Sequence, residues 1–254
     1  MAELIYEKKG HLALITLNRP ESRNALNYEM AVLWAQALQD FRDDPDLWVA
    51  IFTGNGPAFC AGADLKDLSK PDTKKRFLDF AYDRAPYLLN LDVWKPTIAA
   101  INGVAAGGGC EFALSCDIRV MADTARIGLT EAKVGMGANF GTHKLARMIP
   151  LGIALEKLFT GAFISSAEAL QWGLANRVVS GEELMPTAIK IAEAIMECAP
   201  LSVRRMKENA MKGLEMPLTS AVKLNVGPDV YRSEDQLEGA RAFAEKRKPN
   251  WKGK

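Results

Sequence analysis

The sequence predicts an α/β fold in which strands alternate with helices and an all-helical region follows. Short apolar runs are separated by helical patterns or glycine-rich turns up to about residue 180, and this alternation is typical of a sheet covered by helices. After Glu182 the strand-like runs stop and helical patterns continue. With 254 residues and 48% apolar composition, the chain is long enough to bury one core of this kind.

The strands are predicted from short runs of apolar, often β-branched residues. In chain order they are Leu12–Leu17, Trp48–Thr53, Thr97–Ile101, Ile118–Met121 and Arg177–Val179. The first helix is predicted from Asn27 to the Asp43-Asp44-Pro45 turn, because apolar residues recur there at three- and four-residue steps. Ser165 and Glu168 form a capping-box pattern, and Gly173 is expected to end the short helix that follows.

The C-terminal part is predicted to be helical. The helices are expected at Leu184–Cys198, from Pro200 to Gly213, after Pro217, and from Ser233 to Arg247. We expect residues 1–195 to form the β-containing body and residues 196–254 a helical region that packs on the body or on a neighbouring subunit. No linker rich in glycine, serine or proline separates the two parts.

Composition argues against several classes of function. The 32 basic and 31 acidic residues leave a net charge of +1, so no global field favours nucleic acid or a membrane surface. Four cysteines without C-x-x-C spacing and two histidines do not predict a zinc cluster, and reduced core thiols are expected instead. No targeting segment and no apolar run near the roughly 18 residues of a membrane span is visible, so a cytoplasmic location is expected.

Two familiar motifs are not supported. The segment from Gly135 to Gly141 looks like a dinucleotide-binding loop, but Phe140 stands at its third glycine position and no βαβ strand precedes it, so NAD is not expected. His11 and His143 are the only histidines, which leaves few bases for a serine or cysteine triad.

Two segments concentrate glycine and alanine after predicted strands. They are Ala58–Leu65 and Asn102–Glu111, and the second enters an apolar helix through the triplet Gly107–Gly109. Small residues let a ligand approach the main chain, and a helix that begins at glycines presents free N–H groups. Together the segments can supply two donors to an oxyanion formed from a thioester carbonyl. The alternative is that each is a tight strand-to-helix turn.

Two glutamates stand in unusually apolar surroundings. Glu111 lies about one turn inside the helix that the glycines begin, and Glu131 ends the apolar segment from Arg126 before another glycine-rich loop. Burial raises a carboxyl pKa towards the range useful for proton transfer, so two such groups near an oxyanion site suggest addition of water. Each could instead cap a helix or join a salt bridge.

At these residues the chain resembles the enoyl-CoA hydratase/isomerase, or crotonase, superfamily over nearly its whole length. The matching motifs begin with Leu14–Pro20 and end with Phe243–Lys248, and the most specific are Ala61–Asp64 and Asn102–Gly109. The resemblance implies a crotonase-like spiral of repeated ββα units, a helical C-terminal region for trimerisation, and a homotrimer or homohexamer.

The resemblance also implies a mechanism. The family's oxyanion donors correspond to the N–H groups of Ala63 and Gly108. Its hydratase glutamates correspond to Glu111, which orients and deprotonates water, and Glu131, which protonates the α-carbon. The implied reaction is syn hydration of a 2-enoyl thioester or the reverse dehydration. Coenzyme A is part of the substrate, and no metal or redox cofactor is required.

The resemblance further implies that the coenzyme A phosphates lie near the loop Ser22–Leu26 and the adenine near Ala61, with Lys66 nearby. It also implies that Lys246 and Phe243 reach the nucleotide of an adjacent subunit. The predicted substrate contacts are Arg23, Ala25, Ala61, Asp64, Leu65, Lys66, Gly107, Asn139, Phe140, Phe243 and Lys246. The positive charges of Arg23, Lys66 and Lys246 suit a ligand with several phosphate groups. Alternatively, Arg23, Lys66 and Lys246 are solvated surface charges.

The loop Gly137–Gly141 departs from the typical hydratase pattern, because it lacks a proline and is about one residue shorter. Asn139 and Phe140 are therefore hypothesised to narrow the acyl pocket or to give it a polar contact, which suits a ring-bearing or functionalised acyl group. Two other activities stay open: a double-bond isomerase that uses chiefly Glu131, and a non-catalytic acyl-CoA- or RNA-binding member.

Overall fold

The computed structural model describes residues 2–73, 75 and 92–254, and it confirms the predicted α/β fold. The strands of this part of the chain form two sheets. In chain order the strands are β1 Leu4–Lys9, β2 Leu12–Leu17, β3 Val49–Gly54, β4 Ala58–Cys60, β5 Thr97–Ile101, β6 Val104–Ala106, β7 Ile118–Ala122, β8 Arg126–Gly128, β9 Ile164–Ser165 and β10 Arg177–Val179.

Helices cover the sheets and make up the C-terminal part. They are α1 Tyr28–Asp43, α2 Leu65–Leu68, α3 Gly108–Ser115, α4 Asn139–Met148, α5 Leu151–Thr160, α6 Ser166–Gln171, α7 Leu184–Met196, α8 Pro200–Gly213, α9 Leu218–Ala221 and α10 Glu234–Ala244. Short 3₁₀ turns occupy Pro20–Ser22, Glu131–Val134 and Val230–Arg232.

The strands follow a repeating path between the two sheets. The larger sheet has the order β1-β2-β3-β5-β7-β10 and the smaller one β4-β6-β8-β9. Each of β3, β5 and β7 lies in the larger sheet, and the strand that follows it lies in the smaller one. Helix α2 follows the first pair and α3 follows the second, whereas a 3₁₀ turn and α4 follow the third. This is the spiral of ββα units that the family resemblance implied.

The parallel smaller sheet brings three distant segments to one edge. Strands β4, β6 and β8 pair in parallel, so their carboxyl ends at Cys60, Ala106 and Gly128 lie side by side. The chain leaves this edge once in each repeat. The two glycine- and alanine-rich segments and the segment leading to Glu131 therefore emerge next to one another.

Helix α3, which carries Glu111, is anchored in the core by aromatic packing. The ring of Trp34 on α1 stacks on Phe112 with a centroid distance of 4.3 Å, and it also contacts Phe52 of β3 at 5.1 Å. All three side chains are buried. Offset stacking of this kind adds to the burial of apolar area, so the helix has a rigid support.

The predicted strands and the first helix are confirmed, with differences of a few residues at their ends. The Asn27 side chain caps α1 by accepting from the Met30 N–H at 2.8 Å, and the Ser165–Glu168 capping box is present. The sequence missed β1 and the short strands β4, β6, β8 and β9. A three-residue strand such as β4 or β6 shows little alternation and forms by pairing with its neighbours in the sheet.

The glycine-rich segment Gly137–Gly141 was expected to be a loop, and this expectation is wrong for its second half. Helix α4 already begins at Asn139, so Phe140 and Gly141 lie in its first turn. The helix packs against α3, and such tertiary packing overrides the low helix propensity of glycine.

The C-terminal helices end as predicted at Gly213 but earlier than predicted at Met196 and Ala244. The division into residues 1–195 and 196–254 stays a prediction. Cys60, Cys110 and Cys116 are buried free thiols, whereas Cys198 is exposed and thus not the core thiol that we expected. Among the described helices, none has the length and apolar character needed to cross a membrane.

Candidate active site

Two glycines bring the two small-residue segments into backbone contact. Gly62 has φ +88° and Gly107 has φ +52°, and a Cβ atom on Gly107 would lie 3.8 Å from the Gly62 Cα. A Cβ atom on Gly62 would lie 2.8 Å from the Ala106 carbonyl oxygen, which is too close for a real side chain. Glycine is therefore required at Gly62 both by its conformation and by the close approach.

Among the described residues, neither the Ala63 N–H nor the Gly108 N–H has a hydrogen-bond acceptor, so both can face a ligand. The Leu26 N–H donates to the Gly62 carbonyl at 2.7 Å, and the Asp64 N–H donates to the Leu26 carbonyl at 2.9 Å. Because backbone groups alternate in direction along an extended segment, the Ala63 N–H points away from Leu26. Gly108 is the first residue of α3, so its N–H has no acceptor within the helix.

The contact between Gly62 and Gly107 thus makes these two donors neighbours at the N-terminus of α3. The helix dipole is positive at this end, and paired backbone donors in such a place stabilise an oxyanion. The structure brings Ala63 and Gly108 together as the sequence predicted, whereas their catalytic role belongs to the proposed function below.

Glu131 lies over this pair of donors. Its Oε1 is 3.4 Å from the position that a Cβ atom on Gly107 would take, and its buried Oε2 has no hydrogen-bond partner among the described residues. Burial raises the pKa of Glu131 to about 7; its own backbone N–H opposes the shift, and the charge of Glu111 adds to it. Near neutral pH this carboxyl group can therefore exist with or without its proton.

Glu111 is buried on α3, with 5% of its surface exposed, and its orientation depends on α4. Its Oε1 accepts from the N–H of Gly141 at 2.7 Å. Gly141 is the third residue of α4, where a backbone N–H has no acceptor within the helix. Glu111 therefore completes the N-terminus of α4, and the helix dipole favours its negative charge. The sequence offered no signal for this contact.

A side chain at Gly141 is expected to impair the site. A Cβ atom there would lie 2.5 Å from a Leu129 methyl carbon and 3.0 Å from the Glu111 Cγ, so Gly141→Ala must move the Leu129 side chain and push against Glu111. We expect kcat to fall by about 10- to 100-fold, because a displacement of about 1 Å can cost 10²-fold in rate. Steady-state kinetics measure the change.

The matched control for this variant is Gly137→Ala. A Cβ atom at Gly137 has only the Asn139 Oδ1 nearby, at 3.8 Å, and no backbone strain arises. Its kcat should stay within about twofold of the wild-type value, as for most surface substitutions. Equal losses in both variants would show that the Gly141 contact does not position Glu111.

The loop predicted to hold the phosphates lies beside the oxyanion segment. Arg23 is exposed, and its carbonyl accepts from the Ala61 N–H at 3.0 Å, so Arg23, Ala25 and Ala61 lie close together. The sequence reasoning missed Asn24, whose buried Nδ2 donates to the carbonyls of Asn55 and Ala58. Asn24 has a left-handed φ of +55°, a conformation that asparagine adopts more readily than most residues. The presence of an asparagine in this loop was therefore the signal that the sequence offered.

Asp64 is engaged within the chain. Its Oδ1 accepts from the Lys66 N–H at 3.2 Å, which caps α2, and its Oδ2 pairs with the Arg19 Nη2 at 3.2 Å. The geometry therefore gives Asp64 a structural task that the sequence did not predict, and it identifies Arg19 as a residue that ties the two loops together. Leu65 and Lys66 are exposed on α2.

The remaining predicted contacts lie in two places. Asn139 and Phe140 form the first turn of α4 beside Gly141. Phe243 is 88% exposed at the end of α10, and Lys246 is exposed just beyond it. Within the described part of the chain, no hydrogen bond or ion pair joins these last two residues to the phosphate loop.

Comparison with known proteins decides the family. Residues 7–254 match the family model described as Enoyl-CoA hydratase/isomerase. The chain belongs to this family. The (E)-benzylidenesuccinyl-CoA hydratase of Thauera aromatica is 42% identical over 255 residues, which cover 97% of this chain and 98% of that protein. The carnitinyl-CoA dehydratase of Salmonella paratyphi A is 41% identical over 256 residues, 97% of each chain.

Solved structures of the family agree in fold. The enoyl-CoA hydratase from Bacillus anthracis superposes with a TM-score of 0.91 at 34% identity and covers 99% of this chain and 100% of that one. The enoyl-CoA hydratase from Mycobacterium tuberculosis gives 0.88 at 33% identity over 100% of both. The predicted family and the predicted enzyme class, a lyase of the enoyl-CoA hydratase type, are thereby confirmed.

Proposed function

We propose that this family member is an enoyl-CoA hydratase that reversibly adds water across the C2–C3 double bond of a 2-enoyl-CoA. The observation that carries the proposal is the pairing of two carboxyl groups in different environments beside two free backbone donors. Glu111 is held by the Gly141 N–H, whereas Glu131 has a pKa of about 7. Such a difference separates a base from an acid.

Each group has one task in the proposed reaction. The thioester oxygen accepts from the N–H groups of Ala63 and Gly108. Glu111 takes a proton from water as the water oxygen bonds to C3, and the electron pair of the double bond moves into the enolate. Glu131 gives its proton to C2, and the enolate collapses to the thioester. The proposed addition is syn, with both carboxyl groups acting on the same face of the double bond.

The relatives' names support hydration or dehydration of a functionalised acyl group. One is named a benzylidenesuccinyl-CoA hydratase and the other a carnitinyl-CoA dehydratase, and both names describe addition or removal of water on a coenzyme A thioester. Neither acyl group is a plain fatty chain. Phe140 and Asn139, which lie beside the Gly141–Glu111 contact, are proposed to select a ring-bearing or functionalised acyl group in this chain.

One observation favours a second activity, double-bond isomerisation. Glu131 by itself has an unpartnered Oε2 and a pKa near neutrality, which would suffice to move a proton between two carbons. We propose hydration because the site holds a second carboxyl group, Glu111, which Gly141 orients and which isomerisation would not use.

Oxygen-18 water distinguishes the two activities. The protein is incubated with crotonyl-CoA and with cinnamoyl-CoA, and the products are analysed by mass spectrometry. Hydration places one labelled oxygen on C3, whereas isomerisation incorporates none. Unlabelled products with shifted double bonds would contradict the proposed hydration.

The same assay tests the acyl selectivity. A specialised pocket predicts that kcat/KM for the ring-bearing cinnamoyl thioester exceeds that for crotonyl-CoA by about tenfold or more, since one well-filled apolar pocket discriminates by roughly 1–3 kcal/mol. Phe140→Ala should reduce this preference and leave labelling of crotonyl-CoA in place. Efficient hydration of crotonyl-CoA by the wild type would remove the reason for a specialised pocket.

The oligomer stays a proposal as well. Large apolar side chains of the C-terminal region are exposed in the single chain: Met206, Leu214, Leu218, Val222, Tyr231, Leu237 and Phe243. Clusters of this kind mark interfaces between proteins. They support a homotrimer or homohexamer, and the proposed mechanism uses no metal or redox cofactor.

A further inference from the structure

A cavity of about 320 Å³ lies between the C-terminal end of α3 and helices α4 and α8. Ser115 of α3, Lys144 and Met148 of α4, and Lys207 and Met211 of α8 line it. A volume above about 300 Å³ is typical of cavities that bind small molecules. None of these side chains has a task in the reaction proposed above.

The cavity continues the line of reacting groups along α3. Gly108, Glu111 and Ser115 follow one another at steps of three and four residues, so they lie on one face of the helix. The rise of an α-helix places Ser115 about 10 Å beyond Gly108 along the axis. In the proposed reaction the thioester carbonyl lies at the Gly108 N–H and C3 lies at Glu111. An acyl group that keeps this direction beyond C3 reaches Ser115 and the cavity.

Helix α4 presents the same arrangement from the opposite side. Gly141, Lys144 and Met148 also follow at steps of three and four residues, so they share a face of α4. The hydrogen bond from the Gly141 N–H to Glu111 joins this face to the face of α3 that carries the proposed base. Lys144 and Met148, which line the cavity, therefore lie about one and two turns beyond that contact.

The ammonium group of Lys144 has no ion pair and no hydrogen bond with the described residues. Its side chain is half-buried. Burial and, after it, the charge of Arg119 lower the pKa of Lys144. A cation that is withdrawn from water without a partner costs free energy, so an anion bound beside Lys144 would lower the free energy of the site.

The other charged groups of the lining are engaged or exposed. The Lys207 Nζ donates to Asp117 Oδ2 at 2.7 Å, and the guanidinium group of Arg119 donates to backbone carbonyls, among them that of Cys116 at 2.6 Å. Asp92 is exposed and pairs with none of the lining cations in the described structure. Among the described residues of the lining, Lys144 is therefore the cation that can accept an anionic partner.

Much of the remaining wall is apolar. Val93 and Trp94, from the segment before β5, lie in the lining with Met148 and Met211. Methionine side chains adapt to ligands of different shape, and sites with apolar walls and a few polar groups bind a ligand in one orientation. A largely apolar cavity with one available ammonium group suits a carbon chain that ends in a carboxylate.

We propose that this cavity binds the distal end of the acyl group and that Lys144 pairs with a carboxylate carried there. The preferred substrate is then the mono-coenzyme A thioester of an unsaturated dicarboxylic acid of about eight carbons, the length that spans the distance from Gly108 to Ser115. This inference rests on the proposed function and names the functional group that the acyl substrate carries.

The first test compares matched substrates on the wild-type protein. The thioesters 2-octenedioyl-CoA and 2-octenoyl-CoA have the same chain length, and only the first has a distal carboxylate. Its kcat/KM should be higher by about tenfold, as expected for one charge-assisted contact. A five-carbon chain is too short to reach Lys144, so 2-pentenedioyl-CoA should gain less than about twofold over 2-pentenoyl-CoA. An equal gain at both lengths, or a preference for 2-octenoyl-CoA, would overturn the proposal.

The second test removes the ammonium group. Lys144→Met should abolish the preference of about tenfold for 2-octenedioyl-CoA and leave kcat/KM for 2-octenoyl-CoA within about twofold of the wild type. Lys144→Arg, which keeps the charge, should retain most of the preference. The matched control is Arg147→Gln, which removes an exposed cation of α4 that pairs with Glu215 and should leave the preference unchanged. A preference that persists in Lys144→Met would overturn the proposal.

The outcomes are distinguishable from failure of the proposed function. If both eight-carbon thioesters are hydrated with equal kcat/KM, the hydratase proposal stands and the proposed role of the cavity is wrong. If neither is hydrated, the hydratase proposal fails. Calorimetric titration of the saturated octanedioyl-CoA and octanoyl-CoA then decides the cavity by itself, since their Kd values should differ by about tenfold in the wild type and be equal in Lys144→Met. The chain-length comparison needs no variant, so it decides the proposal even if Lys144→Met does not fold.

Discussion

Replacing Glu111 with Gln is expected to lower kcat for hydration by about 10³-fold, within the 10²- to 10⁴-fold range that general acid–base catalysis contributes. Gln keeps the volume of the side chain, and its amide oxygen can still accept from the Gly141 N–H that Glu111 Oε1 accepts from at 2.7 Å. The amide cannot accept a proton from water at neutral pH. Coenzyme A affinity should be unchanged, because Glu111 is assigned no contact with the nucleotide.

Stopped assays of hydration together with calorimetric titration of coenzyme A measure both quantities. Glu156→Gln makes the same chemical change on an exposed face of α5 and should leave the rate within about twofold of the wild type. A Glu111→Gln variant that retains a tenth or more of the wild-type rate would sink the proposed role of Glu111 as the base.

Replacing Glu131 with Gln is expected to lower kcat by about 10²- to 10⁴-fold and to stabilise the protein at alkaline pH. The proposed acid delivers its proton to C2, which an amide cannot do. In the wild type, kcat/KM for hydration should fall as the pH rises above about 7, because Glu131 then loses the proton that it must donate. If kcat/KM changed by less than about twofold between pH 6 and 9, this assignment would be contradicted.

The effect on stability follows from the direction of the pKa shift. The pKa of Glu131 is raised from 4.5 to about 7 in the folded chain, so between these values the folded state binds the proton more tightly than the unfolded state does. The free energy of unfolding therefore falls as the pH rises through this window. Glu131→Gln removes this dependence. Its gain in Tm over the wild type should be absent below pH 4.5 and complete above about pH 7.

Thermal unfolding at several pH values, with Glu156→Gln as the exposed control, measures the difference. The control should follow the wild type at every pH, because the Glu156 side chain is exposed and far along the chain from the candidate site. A gain in Tm for Glu131→Gln that does not depend on pH would show that the carboxyl group is not strained by burial.

Elements with long, regular patterns could be predicted from the sequence. Strand β5 spans Thr97–Ile101 and helix α8 spans Pro200–Gly213, and both have the predicted bounds. A continuous apolar run predicts the strand, and a proline at the start with a glycine at the end predicts the helix, so the whole pattern lies within one segment. The three residues of β4 or of β6 do not predict a strand by themselves, since both strands form their hydrogen bonds with strands of other repeats.

The candidate site divides in the same way. The sequence alone indicated which residue types the chemistry uses, and the family resemblance assigned the donors to Ala63 and Gly108 and the carboxyl groups to Glu111 and Glu131. The sequence also indicated that the main chain can be approached closely at Gly62 and Gly107, because the segments around them consist of small residues. These properties belong to single residues and their immediate neighbours, and they can be seen without a fold.

Only the tertiary structure decided how these residues act on one another. It placed Gly62 against Gly107, extended α4 to Asn139 so that the Gly141 N–H orients Glu111, and buried Glu131 until its pKa reached about 7. It also paired Arg247 with Glu238 through two hydrogen bonds, nine residues apart in the chain. Burial, hydrogen bonding and charge interaction depend on distances through space between residues that are far apart in the chain, so no local pattern in the sequence contains them.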